Sequence, residues 1–343
     1  MPPAIIILNY NGVRLLGACL SSLRQLTVPA EIIVADNAST DDSLAMLRAQ
    51  WPDVRVLGFE QNWGFAEGYN RALAQVDNEW VVLLNNDASL APDWLEVLLK
   101  FAEAQPQAAI LGGKLLFGEP GGERVLQAVG ACFTDAGTAF EVGWGERDDG
   151  QYDRPRRTAS VPGAALLMRR AVFHELGGFD PTYFAYLEDV DLCWRAWLAG
   201  YEVWVVPQAV AWHHFGASSG GRASPFRIRW MQRNRYANML KHLEWPTLLG
   251  GTVTSVGYDL YRVLEFTLRG EWTGLRALAA GTLDFAHSLP QVLQERQRVQ
   301  SRRRRRDAEL KALGLLAPAL TAFREYRRLA RLERSRRAAM VES

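Results

Sequence analysis

Residues 80–87, Trp-Val-Val-Leu-Leu-Asn-Asn-Asp, form an apolar run that ends abruptly in three polar side chains. A short, continuous apolar run of this kind is typical of a strand buried on both faces of a sheet. Three earlier runs follow the same rule, and helical spacing of apolar residues separates each run from the next. The predicted strands are residues 4–8, 32–35, 54–57 and 80–84, and the predicted helices are residues 15–26, 42–51, 66–76 and 92–104. This alternation predicts an α/β fold with a mostly parallel sheet covered by helices.

Polar side chains follow all four predicted strands. The clusters are Tyr10-Asn11, Asp36-Asn37, Asn62-Trp63-Gly64 and Asn85-Asn86-Asp87. Ligands of an open parallel sheet bind in the crevice outside the carboxyl ends of its strands. We therefore expect these dispersed residues to converge on one binding crevice.

The rest of the chain divides into an irregular segment, a second α/β stretch and a helical end. Residues 105–160 contain strand-like pieces at 109–111 and 125–129 and are interpreted as an insertion. Strands are then predicted at 163–169 and 202–206, the second ended by Pro207, and helices at 170–176 and 188–199. Beyond about Pro225 we expect no strand, and helices at 227–242, 258–268, 275–293 and 307–337. The domain prediction is residues 1–225, followed by an α-helical, basic C-terminal extension at residues 226–343.

The charge of the chain is small overall but unevenly distributed. The 343 residues are 48% hydrophobic, enough for a sizeable core, and their net charge of +1 lacks the field typical of nucleic-acid-binding proteins. Residues 291–343 hold 15 Lys and Arg against 6 Asp and Glu, a net charge of +9, which leaves −8 for residues 1–290. Because this basic segment contains few aromatic residues for base stacking, nucleic acid is not a predicted partner.

Cysteine usage and hydropathy indicate the compartment. Cys19, Cys132 and Cys193 are widely spaced and match neither a disulfide framework nor a zinc site, so a reducing cytoplasm is expected. No leader typical of a signal peptide follows Met1, and the uncharged stretch at residues 245–258 is short and interrupted by glycines. We expect neither export nor a transmembrane helix.

Two acids at the strand ends each allow a structural and a functional interpretation. Asp36 either caps the next helix or accepts hydrogen bonds from a nucleobase or a ribose. Asp87 either closes a turn or supplies a hard oxygen ligand for Mg²⁺ or Mn²⁺ that bridges a diphosphate. Of the adjacent His213 and His214, each is either structural or the ligand that completes a cation site begun by Asp87.

Three acids, Glu188, Asp189 and Asp191, lie together at the start of the predicted helix 188–199. One acid there is explained by a favourable interaction with the helix dipole, worth about 0.3–1 kcal/mol. Three acids within four residues, preceded by aromatic side chains, instead suggest a general base in a partly apolar pocket that tunes its pKa.

Seven short pieces of sequence occur in order over residues 4 to about 240. They are residues 7–11 (Ile-Leu-Asn-Tyr-Asn), 34–41 (Val-Ala-Asp-Asn-Ala-Ser-Thr-Asp), 62–66 (Asn-Trp-Gly-Phe-Ala) with Asn70, 84–87 (Leu-Asn-Asn-Asp), 177–180 (Gly-Gly-Phe-Asp), 188–193 (Glu-Asp-Val-Asp-Leu-Cys), and His213 with Ser218. Each piece alone is common, but seven in order are specific. The combination resembles the inverting family 2 glycosyltransferases of GT-A (Rossmann-like) fold, in particular their rhamnosyltransferase-like branch, whose basic helical tail is also similar.

The resemblance implies a nucleoside-diphosphate sugar as the donor substrate and a site for it. Asp36 is similar to the acid that binds the nucleobase or ribose, with Tyr10 and Asn11 beside it. Arg222 would help to neutralise the diphosphate. The further residues expected at the donor are Asn37, Asn62, Gly64, Asn70, Asn85 and Asn86.

The resemblance also implies a divalent metal, Mn²⁺ or Mg²⁺. Asp87 is similar to the last acid of the family's Asp-x-Asp element, which holds the metal and the diphosphate, and His213 to its late metal ligand. Asn85 stands where that element often has an aspartate. Since an amide is a weaker cation ligand than a carboxylate, the strength of metal dependence stays open.

The implied catalytic group is the Glu-Asp element. Asp189 resembles the base that deprotonates an acceptor hydroxyl, Glu188 precedes it, and Asp191 is the nearest competitor for the role. The attacking oxygen would displace the nucleoside diphosphate in a single in-line step that inverts the anomeric carbon.

The expected function is transfer of a sugar, foremost rhamnose from dTDP-rhamnose, to a glycan or lipid-linked glycan. The alternatives are a transferase that uses a UDP- or GDP-sugar and a non-catalytic subunit that binds sugar nucleotides or glycans. A nicotinamide oxidoreductase is disfavoured because no Gly-x-Gly-x-x-Gly follows the first strand.

The basic tail has two interpretations. Residues 302–306 are five consecutive arginines, which form either a solvated face or a surface that attracts an anionic membrane. The second interpretation expects a cytoplasmic protein that associates peripherally with the inner face of the plasma membrane.

Overall fold

The computed structural model describes residues 1–215, 224–318, 320, 321 and 324. The strands are β1 Ala4–Asn9, β2 Glu31–Asp36, β3 Arg55–Gly58, β4 Trp80–Asn85, β5 Ala88–Leu90, β6 Ala108–Phe117, β7 Leu126–Ala128, β8 Ala131–Thr134, β9 Ala139–Glu141, β10 Arg156–Arg157, β11 Ala165–Arg169, β12 Glu202–His213 and β13 Leu316–Ala317. The helices are α1 Val13–Leu23, α2 Ser43–Gln50, α3 Gly64–Leu73, α4 Trp94–Ala104, α5 Arg170–Glu175, α6 Glu188–Leu198, α7 Pro225–His242, α8 Trp245–Arg269, α9 Trp272–Ser301 and α10 Asp307–Ala312.

A ten-stranded sheet forms the centre of the molecule. Its main order is β10-β12-β6-β11-β4-β1-β2-β3, with β5 added beside β12 and β7 beside β6. The half made of β4, β1, β2 and β3 is parallel, whereas β11 runs antiparallel to both β4 and β6. This mixed α/β architecture confirms the predicted fold class.

Alternation along the strands divides the core into two layers. Ile5 and Ile7 of β1 pack with α1, α2 and α4 on one face of the sheet. Ile6, which points the other way, packs with α3 and α6 on the opposite face. The residues beyond the predicted domain boundary add to this second layer: Ala237, Met239 and the later Leu316 belong to the same buried cluster.

The segment 105–160, expected to be an insertion, supplies a central strand. β6 is buried over nine of its ten residues and lies between β11 and β12. Residues 112–114, Gly-Gly-Lys, interrupt its apolar run, so the hydropathy pattern does not predict the whole strand. A Cβ on Gly113 would lie 1.8 Å from the carbonyl oxygen of Ala209, so glycine permits the close approach of β12. Lys114 is buried because it pairs with Asp148 at 2.7 Å and Asp153 at 2.6 Å.

β12 is longer than the sequence predicts. The expected end at Pro207 is wrong, because the pairing with β6 shifts register between Val205 and Val210 and then resumes. Proline is tolerated at such a bulge since no ladder hydrogen bond is required of it there. The continued strand carries His213 to the end of the sheet, opposite Phe117.

The C-terminal extension is mostly helical, as predicted, but not in all its details. α8 begins thirteen residues before the predicted start, with Pro246 in its first turn, where proline is tolerated. The predicted helix 307–337 is interrupted, because α10 ends at Ala312 and β13 follows and pairs with β8. β13 also contradicts the expectation that no strand follows Pro225. Residues 320, 321 and 324 are helical again, and the rest of the predicted helix, residues 319, 322, 323 and 325–337, lies outside the described residues. No helix among the described residues has both the length and the hydropathy required to cross a membrane.

The five arginines at residues 302–306 bind the chain itself, which neither sequence interpretation anticipates. Arg302 donates to the carbonyl of Glu175, Arg303 to that of His242, and the backbone amide of Arg304 to that of Leu198 at 2.6 Å. These three carbonyls belong to the last residues of α5, α7 and α6. Helix ends leave such carbonyls without intrahelical donors, and positive charge is favourable there.

A buried ion cluster joins α6 to α7. The Asp191 carboxylate lies 2.5 Å from Nζ of Lys241, 2.7 Å from Nη2 of Arg195 and 3.0 Å from Nε2 of His242. Lys241 also lies 2.9 Å from Asp180. Burial alone would raise the pKa of Asp191, but the charges of Arg195 and Lys241 hold it well below its usual range. Burial lowers the pKa of His242 to about 4, so its neutral ring donates to Asp191.

Lys241→Met is expected to destabilise the protein by about 3–5 kcal/mol, because it leaves Asp180 and part of the Asp191 charge buried without their partner. Urea unfolding followed by circular dichroism measures the loss. The control is Lys100→Met, whose ammonium forms a surface pair with Glu96, and we expect it to leave the unfolding midpoint unchanged. Equal midpoints for the two variants would contradict a structural role for the cluster.

Candidate active site

Asn9, Asp36 and Asn86 meet at the ends of β1, β2 and β4. The Asn9 side-chain amide donates to Oδ2 of Asp36 at 2.9 Å, and Asn86 donates to Oδ1 of Asn9 at 2.8 Å. The other Asp36 oxygen accepts from the backbone amide of Ser39 at 2.9 Å. Asp36 therefore stabilises the loop after β2 but, contrary to the structural interpretation, does not cap the next helix, because the N-cap residue of α2 is Asp42. Its carboxylate is held at the sheet edge.

Asn11 connects the loop after β1 to the loop after β2. Its backbone adopts a left-handed conformation with φ 51°, which asparagine tolerates. Its Oδ1 accepts from the backbone amide of Thr40 at 2.7 Å, and its own backbone amide donates to Ser39 at 2.9 Å. Tyr10, between the two anchored asparagines, remains exposed.

Gly12 lies directly against this network. A Cβ at this position would stand 2.0 Å from Nδ2 of Asn86 and 2.5 Å from Oδ1 of Asn9. Any other residue would therefore separate the hydrogen-bonded asparagines that join β1 to the end of β4.

Asn37 and Asn62 shape the turn that leads into α3. Asn37 donates to the carbonyl of Gly64 at 2.9 Å and accepts from the amide of Trp63 at 3.0 Å. Asn62 accepts from the amide of Gly64 at 2.9 Å. Gly64 has φ 71°, and a Cβ there would lie 2.4 Å from the carbonyl oxygen of Phe184. The turn is thus fitted against the segment that precedes Glu188.

Asn70 does not join the other predicted donor residues. Its side chain donates to the carbonyl of Phe179 and accepts from the amide of the same residue, both at 2.9 Å. Both ends of the side-chain amide are therefore used to fasten α3 to the loop at Phe179. We correct its assignment from donor binding to structural support.

The two predicted metal ligands lie side by side. Oδ1 of Asp87 is 3.1 Å from Nε2 of His213, although 125 residues separate them in the chain. β5, which follows Asp87 directly, pairs with the end of β12 and so fixes this contact. Asn85 stands 3.3 Å from the same Nε2, and Gln127 stands 3.0 Å from Nδ1 on the other side of the ring. Asp87 and His213 are both buried.

These residues fit a divalent cation that shares its coordination with a substrate. Among the described residues no group of three or more His, Cys, Asp or Glu side chains is arranged to hold a metal. Mg²⁺ sites of this sort use one or two protein ligands together with substrate phosphates and water. Two ligand atoms about 2.1 Å from one octahedral cation lie about 3 Å apart, as the Asp87 and His213 atoms do. A glutamine acceptor on Nδ1 would leave the Nε2 lone pair for the cation.

Asp189 lies at the start of α6 and is half-buried. Its carboxylate accepts from the backbone amide of Gly163 at 2.8 Å and of Val190 at 2.7 Å. Burial raises the pKa of Asp189, and these two amides oppose the rise. The next residue after Gly163, Ala164, accepts from the amide of Asn85 at 2.9 Å. A short stretch of backbone therefore links Asp189 to the residues around His213.

Glu188 is more deeply buried than Asp189. Burial, and then the charge of Asp189, raise the pKa of Glu188 well above its usual range. Its Oε2 atom has no hydrogen-bond partner among the described residues. The upward shift of the Glu188 pKa therefore favours Asp189 as the site of the negative charge of the pair.

A strained turn aims this pair of acids. Tyr186 and Leu187 both have left-handed backbones, with φ 70° and 66°, directly before α6. Such a conformation costs roughly 1–3 kcal/mol per residue and persists only when neighbours hold it. Asn234 of α7, fully buried, donates to the carbonyls of Ala185 at 3.0 Å and Tyr186 at 2.7 Å.

Asp191 is not a competing base. It lies two residues further along α6 and is inaccessible, and its oxygens are occupied by the ion cluster described above. Its assignment as a catalytic candidate is therefore corrected to a structural one. Arg222, the remaining predicted site residue, lies outside the described residues.

Three residues of the site were not assigned to it from sequence: Asn9, Gln127 and Asn234. Asn9 is the first polar residue after the apolar run of residues 4–8, so the sequence already indicated a polar side chain at the end of this strand. Gln127 and Asn234 lie in β7 and in the middle of α7, where local sequence carries no sign of a polar partner.

Comparison with known proteins identifies the family of this chain. The model of the family described as glycosyl transferase family 2 matches residues 4–177. An N-acetylglucosaminyl-diphospho-decaprenol L-rhamnosyltransferase of Mycobacterium tuberculosis is 30% identical over 238 residues, which are 63% of this chain and 77% of that protein. A pre-mycofactocin glycosyltransferase of the same species is 29% identical over 64% of this chain and 46% of its own length.

Solved structures are similar at the level of the fold. S. aureus TarS residues 1–349, in complex with UDP-GlcNAc, has a TM-score of 0.56 and 19% identity, covering 83% of this chain and 82% of that one. A mannosyltransferase from Pyrobaculum calidifontis in complex with GDP-Man and Mn²⁺ has a TM-score of 0.52 and 17% identity, covering 83% and 86%. The fold is GT-A-like. With a family match over half of its length, this chain belongs to glycosyl transferase family 2 and is a glycosyltransferase.

Proposed function

We propose that this enzyme transfers rhamnose from dTDP-rhamnose, with inversion, to a glycan carried on a lipid. The sugar and the acceptor are supported by the M. tuberculosis relative, an L-rhamnosyltransferase that is 30% identical. The inverting mechanism is supported by one observation: the carboxylate of Asp189, held by two backbone amides, lies one short backbone link from the Asp87 and His213 pair.

Asp36 and Asn11 would orient the nucleoside of the donor at the ends of β1 and β2. Both side chains are already held by backbone amides of the β2–α2 loop, so little ordering is required when the donor binds. Tyr10, exposed between them, would contact the base. Asn37, Asn62 and Gly64 would shape the side of the pocket toward α3.

Asp189 would act as the general base. It accepts the proton of an acceptor hydroxyl while that oxygen forms a bond to the anomeric carbon and the bond to the nucleoside diphosphate breaks. A raised pKa improves proton acceptance as long as the carboxylate remains ionised at the working pH. The raised pKa of Glu188 disfavours a second negative charge beside the attacking oxygen.

Asp87 and His213 would hold the divalent cation, with Asn85 and Asn86 close to the diphosphate. When bound, Mn²⁺ or Mg²⁺ neutralises charge that develops on the leaving diphosphate. The chain contributes rigidity here, because β5, β12 and Gln127 all fix the position of the ligands. Arg222 would add a further positive charge.

We infer that the enzyme works in the cytoplasm, at the inner face of the plasma membrane. The M. tuberculosis relative is named for a lipid-linked acceptor. Acceptors of this chemistry are anchored in the bilayer, so an enzyme that uses them must reach the membrane surface.

The main alternative is transfer from a UDP- or GDP-sugar. A panel of dTDP-, UDP- and GDP-sugars, assayed for nucleoside diphosphate release, separates the possibilities. Turnover of dTDP-rhamnose above the others is the expected result, and preference for another donor would contradict the proposed sugar. If calorimetry detects no nucleotide binding at all, a non-catalytic glycan-binding function replaces the enzyme.

Asp189→Asn is expected to lower kcat at least about 100-fold, because general base catalysis typically contributes that much. The Kd for dTDP should change little, since Asp189 is not a nucleotide ligand. Turnover assays and isothermal titration calorimetry measure the two effects.

Asp191→Asn is the matched control. Because it breaks the buried ion cluster, its expected effect is a loss of about 3 kcal/mol in the free energy of unfolding, while Asp189→Asn keeps stability within about 1 kcal/mol. Unchanged turnover in Asp189→Asn would place the base elsewhere.

Asp87→Ala is expected to weaken dTDP binding about tenfold or more when Mn²⁺ is present, since the cation links this carboxylate to the diphosphate. With EDTA the variant and the unchanged protein should bind alike. Asp53→Ala, at an exposed surface pair, serves as the control. Equal affinity of Asp87→Ala and the unchanged protein for dTDP in Mn²⁺ would contradict the proposal that Asp87 binds the metal.

Gly12→Ala is expected to weaken dTDP binding at least tenfold, because the added Cβ displaces Asn9 and Asn86. Gly17→Ala in α1 is the control, since open space surrounds that position. It should leave binding unchanged and raise stability by about 0.5–1 kcal/mol. Both effects are measured by calorimetry with dTDP and by thermal unfolding. Undisturbed binding in Gly12→Ala would mean that this network does not support the donor.

A further inference from the structure

Helix α8 shows an inverted distribution of polar and apolar side chains. Six large aliphatic residues lie on its outer side and are each 47% to 77% exposed. They recur every three or four residues and so form one continuous stripe, at Leu249, Val253, Val256, Leu260, Leu264 and Leu268. Contiguous exposed apolar patches of this size mark interaction sites rather than ordinary surface.

Charged side chains are few in α8, and those that precede its last residue, the exposed Arg269, turn toward the protein. Residues 245–268 contain three charged side chains, Asp259, Arg262 and Glu265, and all three are half-buried. Asp259 binds Arg235 and Tyr236 of α7, and Arg262 lies over the ring of Phe266. The outer side of residues 245–268 therefore presents uncharged side chains over a length of about 36 Å.

Tryptophans mark both ends of this stripe. Trp245 begins α8 and is 59% exposed, and Trp272 begins α9, three residues after the end of α8, and is 58% exposed. Tryptophan combines a large apolar ring with a polar N–H and is enriched where hydrocarbon meets water. Leu283 and Leu293 of α9 are exposed as well.

A mostly apolar groove of about 620 Å³ lies beside Trp272. Thr273, Arg276 and Ala277, which follow Trp272 along α9, line it together with Phe226 and Trp230 of α7. Phe184 lines it as well. The carbonyl of Phe184 accepts from the amide of Phe65 at 2.7 Å, beside the donor turn, and the strained turn to Glu188 begins two residues later.

We propose that the exposed face of α8, together with the start of α9, docks on the surface of a lipid bilayer, with α8 lying along the membrane plane. This inference rests on the proposed function, because it names the surface from which a lipid-linked acceptor would reach Asp189. A bilayer explains the uncharged face, the terminal tryptophans and the apolar groove together. The exposed Arg276 at the groove fits the phosphate of a lipid headgroup.

A second copy of the chain is the competing occupant. It would cover the stripe on α8, but a pairing of two copies gives no role to tryptophans at both ends of the stripe or to the apolar groove beside Trp272. The tryptophans and the groove therefore favour the lipid surface, and the experiment distinguishes the two.

The test uses the full chain and flotation with vesicles of phosphatidylethanolamine and phosphatidylglycerol. The triple variant Leu260→Gln, Leu264→Gln, Leu268→Gln keeps helix-forming side chains and removes apolar surface that no described residue covers. We expect its vesicle partition coefficient to fall roughly tenfold or more. The control Val56→Gln with Leu313→Gln changes two exposed apolar residues elsewhere and should bind vesicles as the unchanged protein does.

Two outcomes would overturn the proposal. One is equal vesicle binding by the triple variant and the unchanged protein. The other is light scattering that shows a dimer which the triple variant dissociates, without any vesicle binding by either protein; this result would assign the face to a second copy. Thermal unfolding verifies that the variant is folded.

Failure of the docking surface and failure of the proposed function give different results. Asp189→Asn should float with vesicles as the unchanged protein does, and the triple variant should retain dTDP binding. Vesicle binding without any transferase activity would keep the docking surface and refute the proposed reaction. Full activity without vesicle binding would refute the docking surface and keep the proposed reaction.

Discussion

Lys241 carries its charge into the core, where Asp180 and Asp191 hold it at 2.9 and 2.5 Å. A buried charge left without its partners costs several kcal/mol, so this contact fixes α7 against α6 and the Asp180 loop in a single arrangement. The consequence reaches the site. Asn234, two turns earlier in α7, holds the strained turn that aims Asp189, and it can do so because Lys241 has already fixed the helix. The helical extension therefore supports the turn that places the proposed base.

Asparagine is the residue that organises the rest of the site. A side-chain amide donates and accepts at once, so one residue can cross-link two loops without burying a charge. Asn9, Asn11 and Asn37 each join a strand end to a neighbouring turn, and Asn234 joins α7 to the turn before α6. The carboxylates of Asp36 and Asp189 are held by neutral amide groups. Such an arrangement leaves their negative charges available to the substrate and the cation.

Sequence reasoning succeeded where polar residues interrupt an apolar run. The ends of β1, β2 and β4 could be predicted because buried strands leave their first polar side chains at one sheet edge. It failed where a contact distant in sequence determines the local structure. β6 contains Gly-Gly-Lys and β12 contains Pro207, patterns that argue against strands until the neighbouring strand is known. Asp191 has the same local setting as Asp189, and only the cations supplied by Arg195 and Lys241 separate their roles.

The arginines at residues 302–306 also bear on how the chain is synthesised. They supply donors to the ends of α5, α6 and α7, so these helices are completed by a segment translated 60 to 130 residues after them. Translation at about 5–20 residues per second separates the two events by several seconds. During that interval the ends of α5, α6 and α7 lack the donors that the arginine segment supplies. The final packing of these helices therefore follows translation of residues 302–306.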